Sequence, residues 1–533
     1  MSAANPVDVT LASDNNILDT HPLNSVRKTA NSVLQTLIGL SWPVGADRTI
    51  RFSFISAASS ENTSYISPNG ETNLTEVEEA VKNNVRDIFR KYSEIIDINF
   101  VEVPDSADSQ VRIVYSDGPQ GPGDAYAYMP GDPGGGTVHL NPDDAANPFL
   151  SLANGAGSPG YYTLMHEIGH TLGLTHPGNY NSSEPPSDLG SENFLDPAHD
   201  NVAYAVMSYN GAHQQNQGLR DPSTPMSLDI EALQTMYGAN TATRASDTTY
   251  HLLPQDLVQL QTIWDGGGND TIDASALPIS NYFFDLASEG RMTQQDFLAN
   301  RVFTGTNEHD QQSYNVLGAG WVVGVGANLE NLIGTLGNDV ISGNDFPNVL
   351  MGLAGNDSID GEAENDTLFG NQGDDELLGN QGDDDLYGGK GSDWLIGGMG
   401  SDFIFGNLGN DTLYGDDFNN EEVGDDLIYG GQGNDVLYGG PGYDTLSGDL
   451  GDDILTGGDG NNTFVISPNS GFDIITDFYP GLDQVALAGL QFSDLTPELV
   501  NGNTTWYFGE TPLVGFMGVT PDMFAPSDFI PLS

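Results

Sequence analysis

The chain has 533 residues, enough for two to four domains at about 100–200 residues each. Its 76 acidic residues stand against 14 basic ones, and the net charge of −62 repels nucleic acid and anionic membranes, which sets both aside as expected partners. With no cysteine, a disulfide framework, a thiolate metal site and a cysteine nucleophile are all excluded.

Residues 1–40 begin polar and turn-rich, and up to Ile17 they lack the basic and apolar regions of a cleaved signal. Val33, Leu34, Leu37, Ile38 and Leu40 suggest a short amphipathic helix, and the segment is expected to be a removable propeptide. No apolar run approaches the ~20 residues of a membrane span, so no membrane insertion is expected. Residues 41–240 have a mixed α and β texture. Thr49 to Ile55, Ile98 to Val103 and Val111 to Tyr115 read as strands. Thr75 with Glu78 forms a capping-box pattern, and behind it Val77, Val81, Val85, Ile88, Phe89 and Tyr92 recur at helical spacing. The stretch from Gly134 to Leu140 precedes the next helix, and His139 within it is a candidate for a second metal site.

A second helix starts near Gly160 and carries His166, Glu167 and His170, followed by Gly173 and His176. Positions i and i+4 leave one face of a helix, which suits two zinc ligands at about 2.0–2.1 Å. Gly173 permits the sharp turn that returns His176 as a third ligand, and three protein ligands leave a fourth position open for water, as in catalytic zinc sites. Glu167 is placed to reach such a water as a general base. His21, His199, His213 and His251 read as surface or locally hydrogen-bonded residues. A third helix runs from Ser227, its expected N-cap, to Tyr237, with Gly238 at the stop.

Residues 241–333 are strand- and loop-like, with an isolated glycine-rich turn from Asp265 to Asp270. From Gly334 to residue 465 the chain is periodic: a glycine recurs every nine residues to Gly415, the register breaks, and it resumes at Gly430. The units read G-G-x-G-x-D-x-(apolar)-x. The sixth position is Asp339, Asp357, Asp366, Asp375, Asp384, Asp393, Asp402, Asp411, Asp426, Asp435, Asp444 and Asp453, with Asn348 and Asn462 as exceptions expected to hold cations weakly or not at all. Glycine and aspartate make a tight turn whose oxygens are hard ligands for several calcium ions, and the next three residues make a short strand with an inward apolar side chain. One unit cannot bury that side chain, so stacked units imply a parallel β-roll. Residues 466–533 are a non-repetitive cap.

The eleven-residue histidine pattern resembles that of the metzincins, and the residues around it resemble the serralysins within that group: Pro177 after the third histidine, Met207 with Tyr209 two residues on, Asp229-Ile230, and the run from Tyr237 to Asn240. The nonapeptides resemble the repeats-in-toxin (RTX) family. Together the likeness covers about residues 45–480. It implies an α+β metzincin catalytic domain followed by an all-β parallel β-roll (RTX) domain. It further implies one catalytic zinc on His166, His170 and His176, with Met207 as a hydrophobic floor beneath the imidazoles, Tyr209 as a further zinc ligand that swings to stabilise the transition state, and an edge strand around Gly134 to Leu140 that pairs with extended substrate. The implied protein is a secreted monomeric endopeptidase acting on proteins and peptides, exported by a type I secretion apparatus through an uncleaved signal in the C-terminal segment. Two other readings are an RTX adhesin with an inactive metzincin domain and a processing protease of narrow specificity. The intact Glu167 and three histidines argue against the first. The chain departs from the serralysin pattern in an insertion near residues 416–423, in the polar tract 182–200 and in its last residues, Pro531 to Ser533.

Overall fold

The structure is a computed structural model that describes residues 37–55, 71, 73–106, 108–117, 125–132, 134–141, 151–177, 202, 204–208, 221–255, 260–287, 291–294, 302–306, 312–315, 320–323, 327–417 and 424–532. The expected propeptide and most of its helix, along with His21, His199, His213 and Tyr209, lie outside these residues.

The first half is built on a five-stranded sheet. Its strands are β1 (Thr49–Phe54), β2 (Asn99–Glu102), β3 (Val111–Tyr115), β4 (Ala125–Ala127) and β5 (Thr137–Leu140), in the spatial order β2-β1-β3-β5-β4. All pairs are parallel except β4 with β5. The edge strands are therefore β2 and β4, and β5, expected at the edge, is interior, because it pairs with β3 on one side and antiparallel with β4 on the other. Helix α1 (Glu79–Ile95) buries Val81, Val85, Ile88, Phe89, Tyr92 and Ile95, and Phe89 stacks on Phe52 of β1 with ring centroids 4.4 Å apart. The capping box read at Thr75 does not form. Thr75 pairs through its backbone with Tyr115, and the helix begins after Glu78 without a side-chain cap. Helix α2 (Pro159–Thr171) has Ser158 as its cap, accepting a hydrogen bond from the Tyr161 N–H at 3.2 Å, with Pro159 in its first turn. Helix α3 (Ser227–Tyr237) is capped one residue earlier than expected, at Met226, and stops at Gly238 with φ +81°.

The second half is a parallel β-roll. From Asn331–Ile333 to Gln484–Ala488, successive strands alternate between a 12-stranded and a 15-stranded sheet, so two nonapeptides make one coil. In one sheet Leu350, Leu368, Leu386 and Ile404 are in register on successive strands, and in the other Ile359, Leu377, Leu395 and Leu413 are. All eight are fully buried. Burying such a side chain contributes about 1.5–3 kcal/mol, and only the neighbouring coils supply the cover. The coils touch through their turns: at Gly433, with φ +147°, an added Cβ would lie 1.2 Å from the Gly409 carbonyl oxygen of the preceding coil. The sheets extend beyond the repeats on both sides. Thr249–His251 and Thr271–Asp273 continue one of them, and Asn331–Ile333 pairs with the latter. At the other end Phe478, Phe492, Trp506, Phe516, Phe524 and Phe529 form an aromatic cluster that closes the roll.

Candidate active site

Helix α2 and the turn after it bring His166, His170 and His176 together. The Nε2 atoms of His166 and His176 are 3.1 Å apart, and so are those of His170 and His176. The Nδ1 atoms of His166 and His170 lie 2.9 and 2.8 Å from the carbonyl oxygens of Val206 and Leu174. A carbonyl only accepts, so each Nδ1 carries the proton and each Nε2 presents a lone pair to the cluster. Burial holds all three imidazoles below the ordinary histidine range, His170 to about 4 and His176 to about 3, with His166 lower than usual as well. Converging lone pairs on neutral rings fit a cation. Tetrahedral ligands at about 2.0–2.1 Å from zinc would be about 3.3 Å from one another, close to the observed spacing. His176 is returned by Gly173, whose φ is +101°, and the returning strand is held by Gly39 N–H to Gly173 O at 2.7 Å and Thr175 N–H to Leu37 O at 2.9 Å.

Glu167 is 7% exposed, and its carboxyl accepts a hydrogen bond from the Ala127 N–H of the edge strand. Burial raises its pKa to about 8. Met207 is fully buried, with its sulfur 2.9 Å from where a Cβ on Gly169 would stand, so it packs against the helix between the two histidines. His139 is buried away from this cluster, its Nδ1 3.0 Å from Ser116 Oγ and its ring stacked on Tyr126 at 4.9 Å. His251 pairs with Asp273 at 2.8 Å on the surface. Tyr209 lies outside the described residues.

Asp229 is a site residue whose role the sequence reading missed. Fully buried on α3, its Oδ2 accepts the N–H groups of Val206 at 2.6 Å and Met226 at 3.0 Å, tying down the loop that holds Met207 and the carbonyl partner of His166. An acid at the third residue of a helix is the available signal, but the partner at Val206 is 23 residues away in sequence. Asp229→Ala leaves two buried N–H groups unpaired and is expected to cost about 2–4 kcal/mol in chemical unfolding, whereas Asp229→Asn keeps an acceptor and costs less. Burial raises the Asp229 pKa from 3.8 to about 7. Its contribution is then fully present below pH 3.8 and is lost as pH rises to about 7. Wild type should therefore lose stability relative to Asp229→Asn across that window. A pH-independent difference would refute the assignment.

In the roll, the sixth-position aspartates form one column on each edge. The N–H of each donates to Oδ1 of the residue in the same position on the next coil, as from Asp357 to Asp375 and from Asp384 to Asp402, both at 2.8 Å, and from Asp444 to Asn462 at 3.0 Å. Oδ2 of Asp357, Asp366, Asp375, Asp384, Asp393, Asp402, Asp411, Asp426, Asp435, Asp444 and Asp453 is buried and accepts no hydrogen bond. Burial raises these carboxyls to between about 6 and about 8. Rows of buried carboxylate oxygens without donors fit a hard cation such as calcium. Asp339 differs, because Thr335 and the Tyr282 N–H occupy both of its oxygens. Asn348 and Asn462 satisfy both ends of their amides within the chain. Asp473 and Asp483 continue the two columns and were missed, since steps of 20 and 21 residues replace the regular 18.

Comparison with known proteins agrees with this division. Residues 59–183 match the Matrixin peptidase family, and segments from 262–276 to 429–464 match the RTX calcium-binding nonapeptide repeat. A serralysin of Photorhabdus laumondii is 32% identical over 287 residues, covering 51% of this chain and 55% of that protein. The metallopeptidase AprA of Pseudomonas marginalis is 30% identical, covering 56% and 61%, and a serralysin of Proteus mirabilis is 32% identical, covering 53% and 57%. The chain thus spans somewhat over half the length of these relatives. Its ions are zinc in the metzincin domain and calcium in the repeats.

Proposed function

From a chain that joins a serralysin-like metzincin domain to RTX repeats, we propose a secreted, zinc- and calcium-dependent endopeptidase that hydrolyses peptide bonds in extracellular proteins. The observation that carries the reading is the convergence of three neutral imidazoles beside a buried Glu167. His166, His170 and His176 would hold the zinc, which when bound supplies Lewis acidity to the attacking water and the scissile carbonyl. Glu167, oriented by the Ala127 N–H, takes a proton from that water and delivers it to the leaving amine. The edge of β4 is placed to pair with an extended substrate backbone next to Glu167. Tyr209 is the proposed donor to the oxyanion. The calcium columns set the roll to fold in calcium-rich surroundings, which suits export by a type I apparatus and action outside the cell as a monomer.

The test is digestion of casein by the calcium-loaded chain, with and without a zinc-selective chelator, followed by mass mapping of the fragments. Many chelator-sensitive cleavage sites are expected. A single site would favour the narrow processing protease, and no cleavage after trimming of the N-terminal segment would favour the adhesin.

A further inference from the structure

The insertion after Gly415 places an additional acid inside the roll. Asp416 is 7% exposed, and among the described residues the Gly424 N–H is the only donor near its carboxylate, too poorly placed to satisfy either oxygen. Its Oδ2 is aimed at the next coil, 2.4 Å from where a Cβ on Gly440 would stand. The second position of other turns holds an uncharged residue, such as Asn371, Asn380, Asn407 or Gly431. Where an acid does stand there it is engaged elsewhere: Asp449 accepts from Ser447 Oγ at 2.6 Å, and Glu362 is exposed and bonded to Ser342. Asp416 also adjoins the column in which the Asp402 N–H donates to Asp426 at 2.9 Å and the Asp426 N–H to Asp444 at 3.0 Å. Each of these three has an unpartnered buried Oδ2.

We propose that Asp416, with Asp426 and Asp444, forms a calcium site with one carboxylate more than the regular coils, which retains its ion after the other coils have lost theirs. Asp426 Oδ2 stands 2.1 Å from where a Cβ on Gly415, the residue before Asp416, would lie, and Asp444 Oδ2 stands 2.5 Å from one on Gly439, the neighbour of the Gly440 that Asp416 faces. Calcium affinity is set over decades by the number of charged ligands. The inference rests on the calcium reading of the roll and adds an order of occupancy to it.

The test uses the calcium-loaded full chain, dialysed against a graded series of chelator strengths with retained calcium measured by atomic emission. Wild type is expected to keep a last ion to about tenfold stronger chelation than the bulk. Asp416→Asn should release that ion with the rest, and Asp417→Asn should retain it. Hydrogen exchange of the wild type during chelation should leave protection longest around residues 415–444, and this measurement stands even if the variant does not fold. Release of all ions at one chelator strength, last protection elsewhere, or the same loss in Asp417→Asn would overturn the proposal. A loaded chain without calcium would overturn the calcium reading of the roll as well, and so is told apart.

Discussion

Removing calcium from the full chain at neutral pH unfolds the roll, seen as loss of the β signal in circular dichroism and of amide protection across residues 334–465. The size of the effect follows from the columns. Eleven regular aspartates bury an oxygen that accepts no hydrogen bond from the chain. An unsatisfied buried polar group costs about 1–3 kcal/mol, more when charged, so eleven cost on the order of 10–30 kcal/mol. A folded domain has only about 5–15 kcal/mol to lose. The pH dependence of the stripped protein has a definite sign. The folded carboxyls lie at about 6 to 8 against an ordinary 3.8, so their contribution is present below about pH 4 and is lost as pH rises through 6 to 8. In chelator, acid should therefore restore part of the β signal. A spectrum unchanged by chelator at neutral pH would refute the account of the columns.

Glu167→Ala abolishes peptide hydrolysis while zinc content stays at one per chain. The three imidazoles are positioned by α2, Gly173 and the carbonyls of Val206 and Leu174, none of which involves the Glu167 side chain. What is lost is the proton acceptor beside the metal, and general acid–base groups contribute about 10²–10⁴-fold. A fall in kcat/KM of at least about 10³-fold is expected, with the melting temperature held or raised, since a carboxyl pushed to about 8 by burial is costly to keep there. Loss of zinc in this variant would make Glu167 a structural residue, and full activity would remove it from the chemistry.

Features encoded by local spacing were legible in the sequence. Histidines four apart on α2 and a glycine before the third histidine determine the cluster almost without reference to the rest of the chain. The nine-residue period, with an apolar residue after each aspartate, likewise implied the roll and its buried columns. Features that depend on distant pairing were not legible. That β4 rather than β5 stands at an edge of the sheet follows from a hairpin, and that Asp229 holds the Met207 loop follows from how α3 packs. The Asp339 carboxylate is expected as a cation ligand from its repeat position, and its hydrogen bonds from Thr335 are a contact that the period does not reveal. Asp416 fell in a break in the period, so periodicity could assign it no role, and only the coil stacked beside it gives it one.

Zinc titration of the metal-stripped, calcium-loaded chain, read by cleavage of an internally quenched peptide, tests the central claim most directly. Activity is predicted to rise linearly and level off at one zinc per chain. No cleavage at full zinc occupancy of an N-terminally trimmed chain, or cleavage independent of zinc, would contradict it.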